Sequence, residues 1–531
     1  MRYLILLLTA SALFASSLRA QLAEPPTGVS EGMLKDLTKP CPANPELGSL
    51  NASPVWSGWG GADNARFQTK AASGLTPADV PKLNLKWAFG FPGGASMYSQ
   101  PAVAFGRVFV GNDNGVVYSL DAKTGCTYWA YQADMFGRFA PIAAPISSQA
   151  GTTYAIFFVT RSTNAYALNA HNGKLLWKTQ VRTGLNNLSA TAAYHDGRLF
   201  VPLSGTETMV GADPNYECCR SRGAVAALDA NTGKVLWLTQ SIQEPLREAG
   251  ENASGKQRWG PAGASVWNTP TVDAKRGLIY VGTGNNFGRL AAATSDSILA
   301  LRITDGKMMW HHQEFEGDTF MARCQATNPA DSNCPDKLGP DYDFGGSSAI
   351  LQTVNGKDIL LAAGKGGVAI ALDPDQEGKL LWRTQLWEGQ APSASGLVVW
   401  GGAADGARVY YPLQQPGGGL KALEIKTGKV AWNAAINADR RGQAGPASAI
   451  PGVVFTGGWD GILRAVDAGG KVIWSVNALR DFETVNGVPA KGGSFGSAGP
   501  VIAGGMVFAT SGYKGTLRGT PGNVLLAFGV E

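Results

Sequence analysis

Histidine and charge are what this chain has least of. Four histidines are spread over 531 residues, and Asp, Glu, Lys and Arg together make up only 16%. His311 and His312 follow Trp310 at a strand exit, and His171 and His195 sit in turn-like positions. All four read as structural or exposed, so a histidine-built metal centre is not expected. No Cys-x-x-Cys-His occurs, which excludes covalently attached c-type haem. No basic cluster stands out, and the formal net charge of +5 falls to +3 without Arg2 and Arg19. That is too little to argue for nucleic acid as a partner. Beyond the first twenty residues no apolar run is long enough to span a bilayer.

Residues 1–20 read as a secretory signal, with Arg2 as its charged start, 4-LILLLTASALFA-15 as its apolar core and 18-LRA-20 as its small-residue exit. No cysteine stands at that exit, which disfavours a lipid anchor. The expectation is a soluble, exported, periplasmic protein. An oxidising compartment favours pairing of the six cysteines. Cys324 and Cys334 share one irregular stretch and suit a local disulfide; Cys41 with Cys126 then follows by elimination. Cys218 and Cys219 are adjacent and could close only a strained eight-membered ring. Such a ring closes no loop, but its flat, polarizable face suits stacking on a planar ligand. Two thiols, or separate partners, remain the alternative.

Seventy glycines and fifteen tryptophans fit a turn-rich all-β chain. One phrase recurs seven times: a polar residue, a short spacer, Gly-Lys, two apolar residues and Trp. The best copies are 228-LDANTGKVLW-237, 423-LEIKTGKVAW-432 and 466-VDAGGKVIW-474, and looser ones end at Trp129, Trp177, Trp310 and Trp382. A period of roughly 40–50 residues holding several short strands marks a propeller blade. The closing phrase is missing after 524-VLLAFGV-530, whereas 85-LKWAFGF-91 has a Trp but no blade before it. The N-terminal strand around Trp87 is therefore expected to complete the last of eight four-stranded blades, closing the ring without a sheet edge. The predicted organisation is a signal over 1–20, an irregular segment over 21–55 with at most one short helix near 30–39, and the propeller over 56–531. The repeated tryptophans read as packing residues between blades.

Successive closing tryptophans lie 48, 60, 73, 72, 50 and 42 residues apart, so the extra length falls between 178 and 382. The residues that the repeat does not need lie there too. Glu207 follows a strand end in 204-SGTE-207. Trp267 stands outside any closing phrase, and Asn285 ends a Gly-rich strand exit. Asp341 and Asp343 share the loop 339-GPDYDFGG-346, and Lys365 follows a buried strand. Glu207, Asn285 and an Asp form a hard, oxygen-donor set suited to calcium rather than zinc. Singly, Asp and Asn beside Gly are ordinary turn formers; the ordered series on successive blades is what argues for a site.

This series resembles the pyrroloquinoline quinone (PQQ)-dependent alcohol dehydrogenases, and within them the polyvinyl alcohol dehydrogenases, over nearly all of the chain from Trp56. 205-GTE-207 resembles the family's Gly-Ala-Glu metal motif. Trp267 and 282-GTGN-285 reproduce the family's eighteen-residue interval between the Trp under the quinone and a metal-binding Asn. 340-PDYD-343 resembles the loop bearing the catalytic base, and Lys365 matches the cation that touches the quinone carbonyls. The resemblance implies PQQ with calcium, or a lanthanide given the second Asp. It further implies Asp341 as base, Asp343 as an extra metal ligand, and Cys218–Cys219 over the quinone. The vicinal cysteines come later in the chain here than in the methanol-oxidising members. Ser189 falls where the family has a Thr against the quinone, while Arg138 and Arg161 are candidate partners of its carboxylates. The short segment ahead of the propeller cannot hold the haem domain that some relatives carry. The implied function is oxidation of an alcohol, secondary or polymeric, with electrons passed to a separate c-type cytochrome. The alternatives are a non-enzymatic scaffold of the outer-membrane assembly type, and a quinoprotein that binds without turnover.

Overall fold

The computed structural model describes residues 31–35, 39–134, 137–148, 151–184, 186–187, 190–326, 332–387, 397–436, 442–514 and 519–530. The expected signal segment lies outside them. Eight antiparallel sheets radiate from one axis, each with a four-stranded core. Blade 1 runs Ala102–Ala104, Arg107–Gly111, Val116–Asp121, Thr127–Gln132, from the axis outward. Blades 2 to 7 repeat this order, with innermost strands at Ile142–Ser148, Ala193–His195, Thr271–Asp273, Ile350–Val354, Ala403–Ala404 and Ser448–Ile450. Blade 8 takes three strands from the C-terminal end and its outermost, Asn84–Gly90, from the N-terminal side. That strand pairs antiparallel with Val524–Gly529, so the ring closes as the repeat predicts.

The middle strands are buried on both faces because each sheet is sandwiched between neighbours, and they read as apolar or small runs such as Ile359–Leu360–Leu361–Ala362–Ala363. The outermost strands alternate, as in Val235–Gln240. Each closing Trp leans onto the next blade. The indole N–H groups of Trp87, Trp129, Trp177, Trp237, Trp382, Trp432 and Trp474 donate to the carbonyls of Ala122, Ala170, Ala230, Ile303, Ile425, Ala468 and Leu83 at 2.8–3.1 Å. The ring of that Trp lies on the Gly of the next phrase. At Gly306, φ is +73° and a Cβ would meet the Trp237 ring at 2.5 Å. The phrase keeps its glycine because a side chain would be strained there and would also collide.

Two expectations change. The stretch near 30–39 forms a strand rather than a helix within its described residues: Gly32–Met33 pairs with Tyr131–Gln132 on the edge of blade 1, where the Cys41–Cys126 disulfide also ties it down. Residues 56–72, placed within the propeller by the sequence, belong to no blade and run along the innermost strands as a plug. Their carbonyls at Trp56, Ala62, Asp63, Ala65, Arg66 and Ala72 accept from Val103, Val272, Leu351, Ala404, Ala449 and Gly504, belonging to blades 1, 4, 5, 6, 7 and 8. Arg66, fully buried, donates to Trp59 O, Ala447 O, Gln100 Oε1 and Ser448 Oγ. Burial pulls its guanidinium down to about 9. The plug lies along the innermost strands, and its Asn64 and Arg66 side chains reach Thr269, Gln100 and Ala447 just ahead of them. The end where the innermost strands begin and the second strands finish carries Glu207, Trp267, Asn285, Asp341, Asp343 and Lys365.

Candidate active site

Lys365 leaves the strand Lys357–Ala363 of blade 5 and donates to Asp341 Oδ1 and to Asp343 Oδ2, each at 2.8 Å. Its ammonium also lies 5.1 Å from the centroid of the Trp267 ring. Trp267 precedes the innermost strand of blade 4 and rests against the backbone of Gly345 and Gly346, where any side chain would overlap its indole. Asn285 follows Leu278–Gly282, and its Nδ2 reaches Asp341 Oδ1 at 3.5 Å. Five of the expected residues thus meet on one side of the axis. Asp341 is 7% exposed, and burial, then the Asp343 charge, lifts its carboxyl to about 7 although Lys365 opposes the shift. The two carboxylates in turn raise the Lys365 ammonium against the pull of burial, so it stays charged.

Two further acids join them that the sequence did not single out. Asp318 accepts from the backbone N–H of Tyr342 at 2.7 Å and of Asp341 at 3.4 Å. It braces the loop in which Asp341 holds the left-handed φ of +63°. Asp296 is fully buried, and neither carboxylate oxygen has a hydrogen-bond partner. Burial and the charges of Asp318, Asp343 and Asp341 push its carboxyl well above the carboxylate range. Fully ionised, the four buried acids near one lysine would carry a surplus of negative charge, which protons on Asp296 and Asp341 relieve in the cation-free protein. A multivalent hard cation among Asn285, Asp341 and Asp343 suits that surplus.

Glu207 opens the short helix Glu207–Val210 and is 1% exposed. Its carboxylate accepts from the N–H of Arg220 at 2.9 Å and of Ser221 at 2.6 Å, and from the Tyr216 hydroxyl at 2.9 Å. No hydrogen bond joins it to Asn285 or Asp341 among the described residues. The two loops are laced through 262–265 instead: Ala262–Gly263 pairs with Asn286–Phe287, and Gly263 donates to Ser221 O. Cys218 and Cys219 are joined in a vicinal disulfide whose sulfurs lie within 4.8 Å of the Glu207 carboxylate. Both are covered, at 1% and 0% exposure, by Phe287, Met321 and the Cys324–Cys334 disulfide. The ring packs against these residues and lies beside the turn whose backbone N–H groups cap Glu207. Met321, 3.7 Å from Cys219 Sγ, comes from the long insert between blades 4 and 5.

Burial, and then the nearby Arg138 charge, lowers the Arg161 guanidinium. The Arg138 guanidinium sits 4.5 Å from the Trp400 ring centroid and donates to Tyr513 Oη at 2.8 Å. Trp400 meets Trp267 edge-on at 5.6 Å. Arg138 Nε and Trp400 Nε1 are buried donors with no acceptor in the protein. The floor beside Trp267 therefore offers donors to an anionic or carbonyl-rich ligand. Ser189 lies outside the described residues. Of the histidines, His312 is tied to Glu314 and His171 to Asn44, away from this cluster.

Residues 56–322 match the family described as glucose/ethanol/alcohol dehydrogenase, beta-propeller domain. Residues 338–523 match the one described as outer membrane protein assembly factor BamB. The chain is 40% identical over 522 residues to a polyvinylalcohol dehydrogenase of Sphingopyxis sp. (strain 113P3), covering 92% of this chain and 79% of that one. It is 40% identical over 511 residues to a polyvinylalcohol dehydrogenase of Pseudomonas sp, covering 91% and 78%. Among solved structures, a europium-containing methanol dehydrogenase superposes with a TM-score of 0.65 at 18% identity, over 91% of this chain and 99% of that one. The quinohemoprotein alcohol dehydrogenase of Comamonas testosteroni gives 0.60 at 19%, over 90% and 80%.

Proposed function

The chain belongs to the PQQ-dependent alcohol dehydrogenases, with polyvinyl alcohol dehydrogenases among its relatives, and from that we propose that it oxidises secondary alcohols presented by a polymer such as polyvinyl alcohol. The observation that carries the reading is Lys365 held between Asp341 and Asp343 above Trp267, with Asn285 alongside.

The quinone, when bound, supplies the hydride acceptor, and its cation supplies Lewis acidity. The remaining work falls to side chains. Trp267, fixed from below by Gly345 and Gly346, gives a flat floor on which a planar ring can lie. Arg138, Arg161 and Trp400 offer the donors that carboxylates of the cofactor need. We assign Ser189 to the same set by position in the sequence. Asn285, Asp341, Asp343 and Glu207 are the proposed oxygen ligands; calcium and a lanthanide both suit them. Lys365 has three N–H donors and spends two on the aspartates, leaving one for a quinone oxygen on which charge develops. Asp341 accepts the substrate hydroxyl proton as general base. Its Oδ1 is engaged by Lys365, so Oδ2 is the atom we assign to the proton. The Cys218–Cys219 ring, in this reading, holds the Glu207 cap rather than the cofactor.

The match of 338–523 to an assembly factor would suit a scaffold, but that half of the chain also carries Asp341, Asp343 and Lys365, which a scaffold does not need. We further propose residues 1–20 as an export signal, 21–55 as an irregular N-terminal segment and 56–531 as the quinone-binding propeller, in the periplasm, with a c-type cytochrome as electron acceptor. Three disulfides support an oxidising compartment. No helix among the described residues is long and apolar enough to cross a membrane. Replacement of Lys365 tests the site. Lys365→Ala should lower kcat by about 10²-fold or more while quinone binding, read by the cofactor's absorbance, is weakened only modestly. An unchanged kcat would remove Lys365 from the chemistry.

A further inference from the structure

From Trp267 and Trp400, which the cofactor reading uses, a wall of aromatic rings continues outward to Tyr513, Tyr98 and Trp459, which neither the cofactor nor the proton transfer uses. Trp400 meets Trp267 edge-on, and the Arg138 guanidinium links Trp400 to Tyr513. Tyr513 is then flanked on two sides: by Tyr98, with ring centroids 5.0 Å apart and planes at 86°, and by Trp459, at 5.2 Å and 63°. Tyr513 is 3% exposed, whereas Tyr98 and Trp459 are partly open to solvent. Tyr98 is pinned by donation from its hydroxyl to Lys514 O at 2.8 Å. Trp459 is held through its backbone, its N–H on Gly442 O and its carbonyl under the Ser494 hydroxyl at 2.6 Å. The rings come from the loops of four elements: Tyr98 precedes blade 1, Trp400 precedes blade 6, Trp459 lies in blade 7 and Tyr513 in blade 8. None is a closing Trp of the repeat, so packing between blades does not require them.

We propose that this wall is a binding track for an extended polyhydroxylated carbon chain, with Tyr98 and Trp459 forming its outer subsite. The inference rests on the dehydrogenase reading and names the polymer as the ligand of the wall. A run of alternating methylene and hydroxyl-bearing carbons has an apolar edge that covers aromatic faces and a polar edge that stays wet or meets hydroxyl and guanidinium donors. Ring faces held edge-to-face suit such a chain because they are rigid and lose little side-chain freedom on binding. A small alcohol presents one hydroxyl to Asp341 and has no further units for the outer subsite, whereas a polymer has neighbouring units to place there. Its neighbouring units, bound there, raise the local concentration of hydroxyls at the base.

The test compares the holoenzyme with Trp459→Ala, Tyr98→Ala and the conservative Trp459→Phe, using polyvinyl alcohol and a small secondary alcohol with the same artificial dye as acceptor. The ratio of kcat/KM for polymer to that for the small alcohol should fall about tenfold in each alanine variant, through KM, and recover in Trp459→Phe. Retention of the quinone-free protein on immobilised polyvinyl alcohol should fall in parallel, a readout that survives even if turnover fails. An unchanged ratio with unchanged retention would overturn the proposal. So would an unchanged ratio accompanied by slower reduction of a cytochrome, which would make the wall an electron exit instead. Loss of all turnover in the parent protein with retention intact would refute the dehydrogenase reading but not the track.

Discussion

Asp341 is buried where its own charge is unwelcome, and that sets how it exchanges protons with the cation. Its carboxyl stands at about 7 because burial and the Asp343 charge outweigh Lys365. Below that pH the metal-free site holds a proton that a cation has to displace. Cation affinity should therefore fall as pH drops through 7, by about tenfold per unit for one displaced proton. Titrating metal into the apo protein at several pH values checks this, and a flat profile from pH 8 to 5 would contradict it. At this scale Trp267, Asn285, Asp341 and Lys365 were legible because each sits in a short motif whose spacing is set by one strand and its exit. Asp318 and Asp296 were not. Asp318 reaches Asp341 across a 22-residue insert, and Asp296, in 295-SDS-297, looks like any turn residue. The burial of the vicinal disulfide was also illegible, since Phe287 and Met321 come from distant segments.

The blade phrase is the element-scale device, and its two halves act on neighbouring blades. A closing Trp lies over the Gly of the next phrase and donates to a carbonyl beside it. Gly306→Ala would place a methyl at 2.5 Å from the Trp237 ring in a backbone with φ of +73°. A loss of about 1–3 kcal/mol is expected, seen as a lower Tm. Gly277→Ala is the comparison, since its φ of +65° is similar but its added Cβ meets nothing within 4 Å. Equal losses in the two would show that the Trp contact contributes nothing. This docking was readable because it repeats. The plug was not, because residues 56–72 neither alternate nor repeat, and their hydrogen bonds are scattered over seven different blades.

For the whole molecule, ring closure acts at the outer edge of blade 8 and the plug acts along the axis. Closure was legible in the missing final phrase and the orphan Trp87, and Trp474 confirms it by donating to Leu83 O beside the closing strand. Arg66 and its neighbours fill part of the axis, and Lys365, Asp341 and Trp267 converge where the innermost strands begin. The most direct measurement is dye-linked oxidation of polyvinyl alcohol by the mature protein, with and without PQQ and calcium or a lanthanide, beside Asp341→Ala. The account predicts turnover that needs both quinone and cation, and that falls by about 10²-fold or more in Asp341→Ala while quinone binding persists. Turnover without the quinone, or an Asp341→Ala enzyme as fast as its parent, would contradict it.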